Sequence, residues 1–199
     1  MKIEELFNKL ISEEILAILE YKLISQYLKF SRLTKLANLI DDIIKDEEEH
    51  LTELTERAMQ LELEISYFSS GKPELAEFKD NGILQPDAII KKLVKLEDDA
   101  VNSYKEALDE DCIEADPTTK QLFKHILEEE YNHDSSFDAE VKKMTYLGVK
   151  DWTTTLTEAD KNIKTQYGFN VPKAGAHSEA TYNLLETLRK RTSDFYRNY

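Results

Sequence analysis

Two Glu-x-x-His units, Glu47-Glu48-Glu49-His50 and Glu130-Tyr131-Asn132-His133, stand 83 residues apart in a chain of 199, and this pair limits the fold more than any other feature. On a helix, residues three apart share a face one turn from each other, so each unit is a two-ligand clip for a metal. One such unit in a Glu-rich chain reads as a solvated charged face. The second changes that reading, because the same shift of 83 residues also carries Glu14 to Glu97, Ala17 to Ala100 and Tyr21 to Tyr104. The chain is an internal repeat of two helical hairpins that keeps its polar residues in register.

Apolar residues recur at helical spacing from Ile3 to about Phe30, Leu36 to Leu63, Ala88 to about Leu108 and Leu122 to Leu147, which predicts four long helices. Pro86 opens the third, and Asp116-Pro117 opens the fourth with an N-cap acceptor followed by a residue suited to the first turn. Ile65 to Leu84, with Ser69-Ser70-Gly71-Lys72-Pro73 and Asn81-Gly82, reads as a crossover long enough to run the length of a bundle, with a short helical turn near Glu74 to Phe78. The other two connections are short, so each helix pair is an antiparallel hairpin. Residues at one level of a hairpin lie equally far from its turn. The midpoint between Glu14 and the first clip falls at 31, and that between Glu97 and the second falls at 114, both on expected turns. The expected fold is all-α, a four-helix bundle over residues 1–147, followed by a C-terminal extension over 148–199 with a short fifth helix near Lys150 to Leu156 and a terminal helix from about Ser178 to Arg197.

Glu14 interrupts an apolar stripe of Phe7, Leu10, Ala17 and Tyr21, and Glu97 interrupts Ile90, Leu93, Val101 and Tyr104. Glu47 and His50 sit among Ile40, Ile43 and Leu54, and Glu130 and His133 among Phe123, Ile126, Phe137 and Val141. All six therefore point inward. Four carboxylates buried together need compensating cations, since each uncompensated charge would cost several kcal/mol or stay protonated. Imidazole with carboxylate suits iron or manganese, and a single cysteine, Cys112, rules out a multi-thiolate zinc site. Tyr21 and Tyr104 lie two turns beyond Glu14 and Glu97 on the same faces, placed to donate hydrogen bonds to the ligands or to serve as core tyrosines. Asp46 and Glu129 precede the clip carboxylates and are expected to be solvated charges, with bonding to the ligands as the alternative. His125 and His177 fall outside the pattern and are expected to be structural or exposed. A formal net charge of −14 disfavours nucleic acid and favours cations as partners. Charges through the first apolar stretch disfavour a signal peptide, and no uncharged window is long enough for a membrane span, so a cytoplasmic location is expected.

One Glu from each of two helices and Glu-x-x-His from each of the other two is the signature of the ferritin-like di-iron carboxylate proteins, and the chain resembles that family over about residues 1–147, bacterioferritin most closely. The resemblance implies a ferritin-like bundle with two iron ions per chain, manganese being possible. Glu47 and Glu130 would bridge the metals, Glu14 and Glu97 would be terminal carboxylates, and His50 and His133 would bind one metal each. It further implies a ferroxidase taking Fe(II) and either dioxygen or hydrogen peroxide, for iron storage or detoxification, in a homo-oligomer of at least two chains. Bacterioferritins bind an interface haem through a Met directly after the first clip's Glu; here that residue is Glu48, so haem is not expected. The residues past 147 leave a 24-subunit shell open. Rubrerythrin, a peroxidase, shares the spacings but carries an extra Glu where this chain has Ala100, and four cysteines against one. The alternative in function is a non-storing di-iron or di-manganese oxidoreductase such as a peroxidase or an oxygenase.

Overall fold

The computed structural model describes residues 1–66, 79–80 and 83–157. Four long helices carry it: α1 (Ile3–Phe30), α2 (Thr34–Gln60), α3 (Pro86–Leu108) and α5 (Pro117–Leu147), with one-turn α4 (Asp111–Glu114) and short α6 (Val149–Thr155). Two two-residue strands, β1 (Lys79–Asp80) and β2 (Ile83–Leu84), pair antiparallel just before α3. The expected helical turn near Glu74 to Phe78 and the terminal helix from Ser178 lie outside the described residues.

The breaks between helices follow from backbone hydrogen bonding. At the end of α1, Arg32 takes a left-handed conformation (φ 63°), the Leu33 N–H reaches back to the Leu28 carbonyl and the Arg32 N–H to that of Lys29. The end of α2 repeats this with Glu62 (φ 55°), Leu63 to Ala58 and Glu62 to Met59. Both are Schellman closures, which satisfy the last carbonyls and reverse the chain within a few residues, here without the glycine that usually takes that position. No glycine or proline marks these two sites, and the sequence signals them only by the end of the apolar stripe. Pro86 occupies the first turn of α3, and Asp116 caps α5 by accepting from the N–H groups of Thr118 and Thr119. The second hairpin turn, which spacing centred at residue 114, contains α4.

The antiparallel pairs are α1 with α2 and α3 with α5. Their apolar faces form a core in two halves. One half gathers Ile24, Leu28, Leu36, Ile40, Ile90, Leu93 and Phe137 around the α1–α2 turn. The other gathers Phe7, Leu10, Leu54, Phe123 and Ile126 at the opposite end. The core continues past Leu147: Trp152 of α6 is fully buried, its indole N–H donates to Glu140, and the Leu156 carbonyl accepts from the Lys35 N–H at the start of α2. A buried indole with its one donor satisfied fixes this short helix against the bundle.

Candidate metal centre

Between the two apolar halves lies a layer of charge. Glu14 (α1), Glu47 and His50 (α2), Glu97 (α3), and Glu130 and His133 (α5) are all at most 5% exposed. Each projects from the middle of its helix, so hydrophobic burial of the flanking turns forces these side chains inside together. Glu14, Glu47, His50 and Glu130 each offer one ligand atom within 4.8 Å of the others, and so do Glu47, Glu97, Glu130 and His133. Glu47 and Glu130 belong to both groups. Only long-range folding brings these residues together, since each group draws on three helices.

Glu14, Glu97 and the two histidines each present one atom to the middle of the layer and have the other held from outside, whereas Glu47 and Glu130 turn both oxygens inward. The Tyr21 hydroxyl donates to Glu97 Oε1 at 2.5 Å, and the Tyr104 hydroxyl donates to Glu14 Oε1. Each tyrosine thus crosses to the carboxylate of the other hairpin. His50 Nε2 bonds Glu129 at 2.9 Å and His133 Nε2 bonds Asp46 at 3.2 Å, again from one hairpin to the other. Those contacts leave both Nδ1 atoms facing inward. His50 Nδ1 lies 3.2 Å from Glu130 Oε1 and 3.5 Å from Glu47 Oε2; His133 Nδ1 lies 3.3 Å from Glu47 Oε1 and 3.7 Å from Glu97 Oε2.

The inward atoms fit metal ions. His50 Nδ1, His133 Nδ1, Glu97 Oε2 and both Glu130 oxygens are buried without a hydrogen-bond partner among the described residues. Such atoms ordinarily cost about 1–3 kcal/mol apiece, so five in one layer is a deficit that a cation removes. Ligand atoms about 2 Å from a shared ion sit roughly 3 Å apart, close to the separations above.

Without metal the layer holds protons instead. Burial, then repulsion from Glu47 and Glu130, pushes the Glu14 carboxyl well up; burial raises Glu97 to about 8. For His50, burial alone would lower the pKa, but the facing Glu130 and Glu47 carboxylates reverse that and hold it up to about 11. His133 is raised by Glu130, Glu47 and Glu97 against the same burial effect. Glu47, despite burial, is driven down by the facing His133 and His50 imidazoles, so it stays ionised. Protons thus stand in for metal charge.

Asp46 and Glu129 correct the sequence expectation of solvated charges: both are partly exposed, yet both grip a histidine. The signal was present, since they are themselves related by the 83-residue repeat, and acidity kept at matching positions of two hairpins has a common cause. His125 is half-exposed, as expected, with its Nε2 3.6 Å from Glu129. Cys112 is a free thiol away from the layer, and His177 lies outside the described residues. Glu48, at the position where a thioether would hold haem, is ion-paired to Lys22 of α1 at 2.5 Å. No helix among the described residues is long and apolar enough to cross a membrane.

A family profile described as Ferritin, ferritin-like domain, matches residues 4–147. Among solved structures, a bacterioferritin from Rhodobacter capsulatus, reported with a metal-free dinuclear site and haem iron, superposes with a TM-score of 0.72. The alignment covers 81% of this chain and 96% of that one at 19% identity, a likeness of fold. No curated protein matches the chain.

Proposed function

Since the chain belongs to the ferritin-like domain family, we propose that its buried layer binds two iron ions and oxidises Fe(II) to Fe(III), in a cytoplasmic homo-oligomer that stores or detoxifies iron. One observation carries this reading: two four-residue ligand groups share Glu47 and Glu130, as a dinuclear centre with two bridging carboxylates requires. Glu14 and His50 complete one ion's set, Glu97 and His133 the other's. Manganese suits the same donors.

The roles of the residues follow from their contacts. Glu47 enters ionised, while His50, His133, Glu14 and Glu97 surrender protons as metal arrives, so charge within the layer stays near balance. Tyr21 and Tyr104 orient the terminal carboxylates, and burial keeps both phenols protonated as donors. Asp46 and Glu129 hold the imidazoles with Nδ1 inward. Two bound Fe(II) supply two electrons, one each, enough to reduce dioxygen to hydrogen peroxide or hydrogen peroxide to two waters, with two protons taken up in either case.

Anaerobic Fe(II) titration with metal analysis tests the centre, and about two ions per chain are expected, with Glu47→Ala or Glu130→Ala losing most of them. Fewer than one ion per chain would remove the assignment. With air or peroxide, repeated turnover to ferric product supports a ferroxidase. Oxidation that stops after about two Fe(II), in a particle that sediments as a monomer or dimer, excludes storage and leaves the centre as the cofactor of a non-storing oxidoreductase.

A further inference from the structure

A cavity of about 180 Å³ lies between α1 and α3 and reaches inward to Glu14, Glu47 and Glu130. Ala17 and Ala100, equivalent positions of the two hairpins, both line it, and their small side chains leave the space open directly above the ligand layer. Its outer wall carries Glu13 and Asp99, both exposed, and Glu20 lines the passage between. Its lining holds no Lys, Arg or His: the two histidines of the layer lie on the far side. Anything entering here meets carboxylates first. At the inner end, Glu130 is 1% exposed with both oxygens lacking a hydrogen-bond partner. At the mouth, one cation of the protein itself is in attendance. Lys9 Nζ stands 3.8 Å from Glu13, 3.8 Å from Glu106 and 3.5 Å from the Ser103 hydroxyl, and Glu13 and Ser103 belong to the cavity wall.

We infer that this cavity is the passage by which divalent cations reach the centre, and that Lys9 sits at its mouth as a competing charge. The inference rests on the dinuclear reading above. An acidic cleft with low-dielectric walls concentrates cations and raises their arrival rate, most strongly at low ionic strength. The volume admits an ion that still carries several waters, which it exchanges for carboxylate oxygens as the passage narrows. Lys9 holds only long, half-exposed contacts, so an incoming ion displaces it at little cost, and while in place it weakens the attraction of Glu13. Because the passage opens on one chain's own α1–α3 face, loading does not depend on a closed shell.

The test is anaerobic stopped-flow loading of the full chain with Co(II), followed by its visible absorption, so that no oxidation enters the readout. Ala100→Leu, which fills the passage, is expected to slow loading about tenfold or more at unchanged final stoichiometry. Glu13→Gln with Asp99→Asn should slow it about threefold at low salt, a difference that fades at high salt. Lys9→Gln should speed it by a similar factor. Should the wild type take up two Co(II) while both the filled and the charge-depleted variants load at its rate, the ions enter elsewhere and the centre stands. A wild type that never holds two Co(II) removes the centre and the passage with it. The Glu13 and Asp99 substitutions alter only exposed residues, so the outcome does not hang on whether Ala100→Leu folds.

Discussion

Raising pH should destabilise the metal-free protein but not the metal-loaded one. In the unfolded chain Glu97 is ionised above its ordinary value of 4.5, whereas in the fold burial keeps its proton to about pH 8. His50 loses its proton near 6.5 when unfolded but holds it to about 11 when folded. Between pH 6.5 and 8 the native state therefore binds more protons than the unfolded state, and stability falls as pH rises. One retained proton is worth about 1.4 kcal/mol per pH unit, so counting a single proton for the whole layer gives a loss of roughly 2 kcal/mol over this window. For a domain of this size that lowers Tm by about 4–8 °C. Bound metal has already displaced the protons, so in excess Mn(II) the slope should vanish or reverse. Thermal melts followed by circular dichroism, in chelator and in Mn(II), at half-unit pH steps, provide the measurement. Glu97→Gln, which keeps the shape but cannot ionise, should flatten the metal-free slope and stabilise the apo protein at pH 8. A metal-free Tm that is flat or rises from pH 6.5 to 8 would refute the reasoning, because it would mean that the carboxylates are solvated and ionised throughout.

Three further outcomes are expected. Tyr21→Phe strips Glu97 Oε1 of its donor and should cost about 1–3 kcal/mol in the apo protein, with Tyr104→Phe matching it at Glu14; denaturant melts give the values, and a cost near zero would show these tyrosines to be ordinary core residues. Glu129→Ala and Asp46→Ala free the imidazoles to rotate and should weaken Mn(II) binding about 10–100-fold in calorimetric titration without unfolding the bundle; unchanged affinity would return both residues to the solvent-exposed class. The purified protein should carry no stoichiometric haem, since Glu48 offers a carboxylate already paired with Lys22; a Soret band equivalent to one haem per two chains would overturn this.

That these six residues share one buried layer was legible in one dimension, because the constraints on it are one-dimensional. Helical period fixes which residues share a face, hairpin arithmetic fixes which share a level, and burial of charge demands a partner, so Glu14, Glu47, His50, Glu97, Glu130 and His133 could be placed from spacing alone. The cap at Asp116 follows from local chemistry, while the hairpin turns are located by spacing and by the end of the apolar stripe. What the sequence could not determine is every contact that depends on how two helices are rotated against each other. Spacing puts Tyr21 on the face of Glu14, yet its hydroxyl serves Glu97, and Tyr104 on the face of Glu97 serves Glu14. A side chain leans back along its own helix and ends over a neighbour, so its partner is set by the interhelical packing rather than by its own stripe. Asp46 and Glu129 look like surface charges for the same reason: each lies at the edge of its stripe, and only the approach of α2 and α5 brings it onto a histidine of the other helix. The docking of α6 by Trp152 and the gap left by Ala17 and Ala100 are likewise products of three-dimensional packing, where one buried indole and two missing side chains acquire meaning only from what surrounds them.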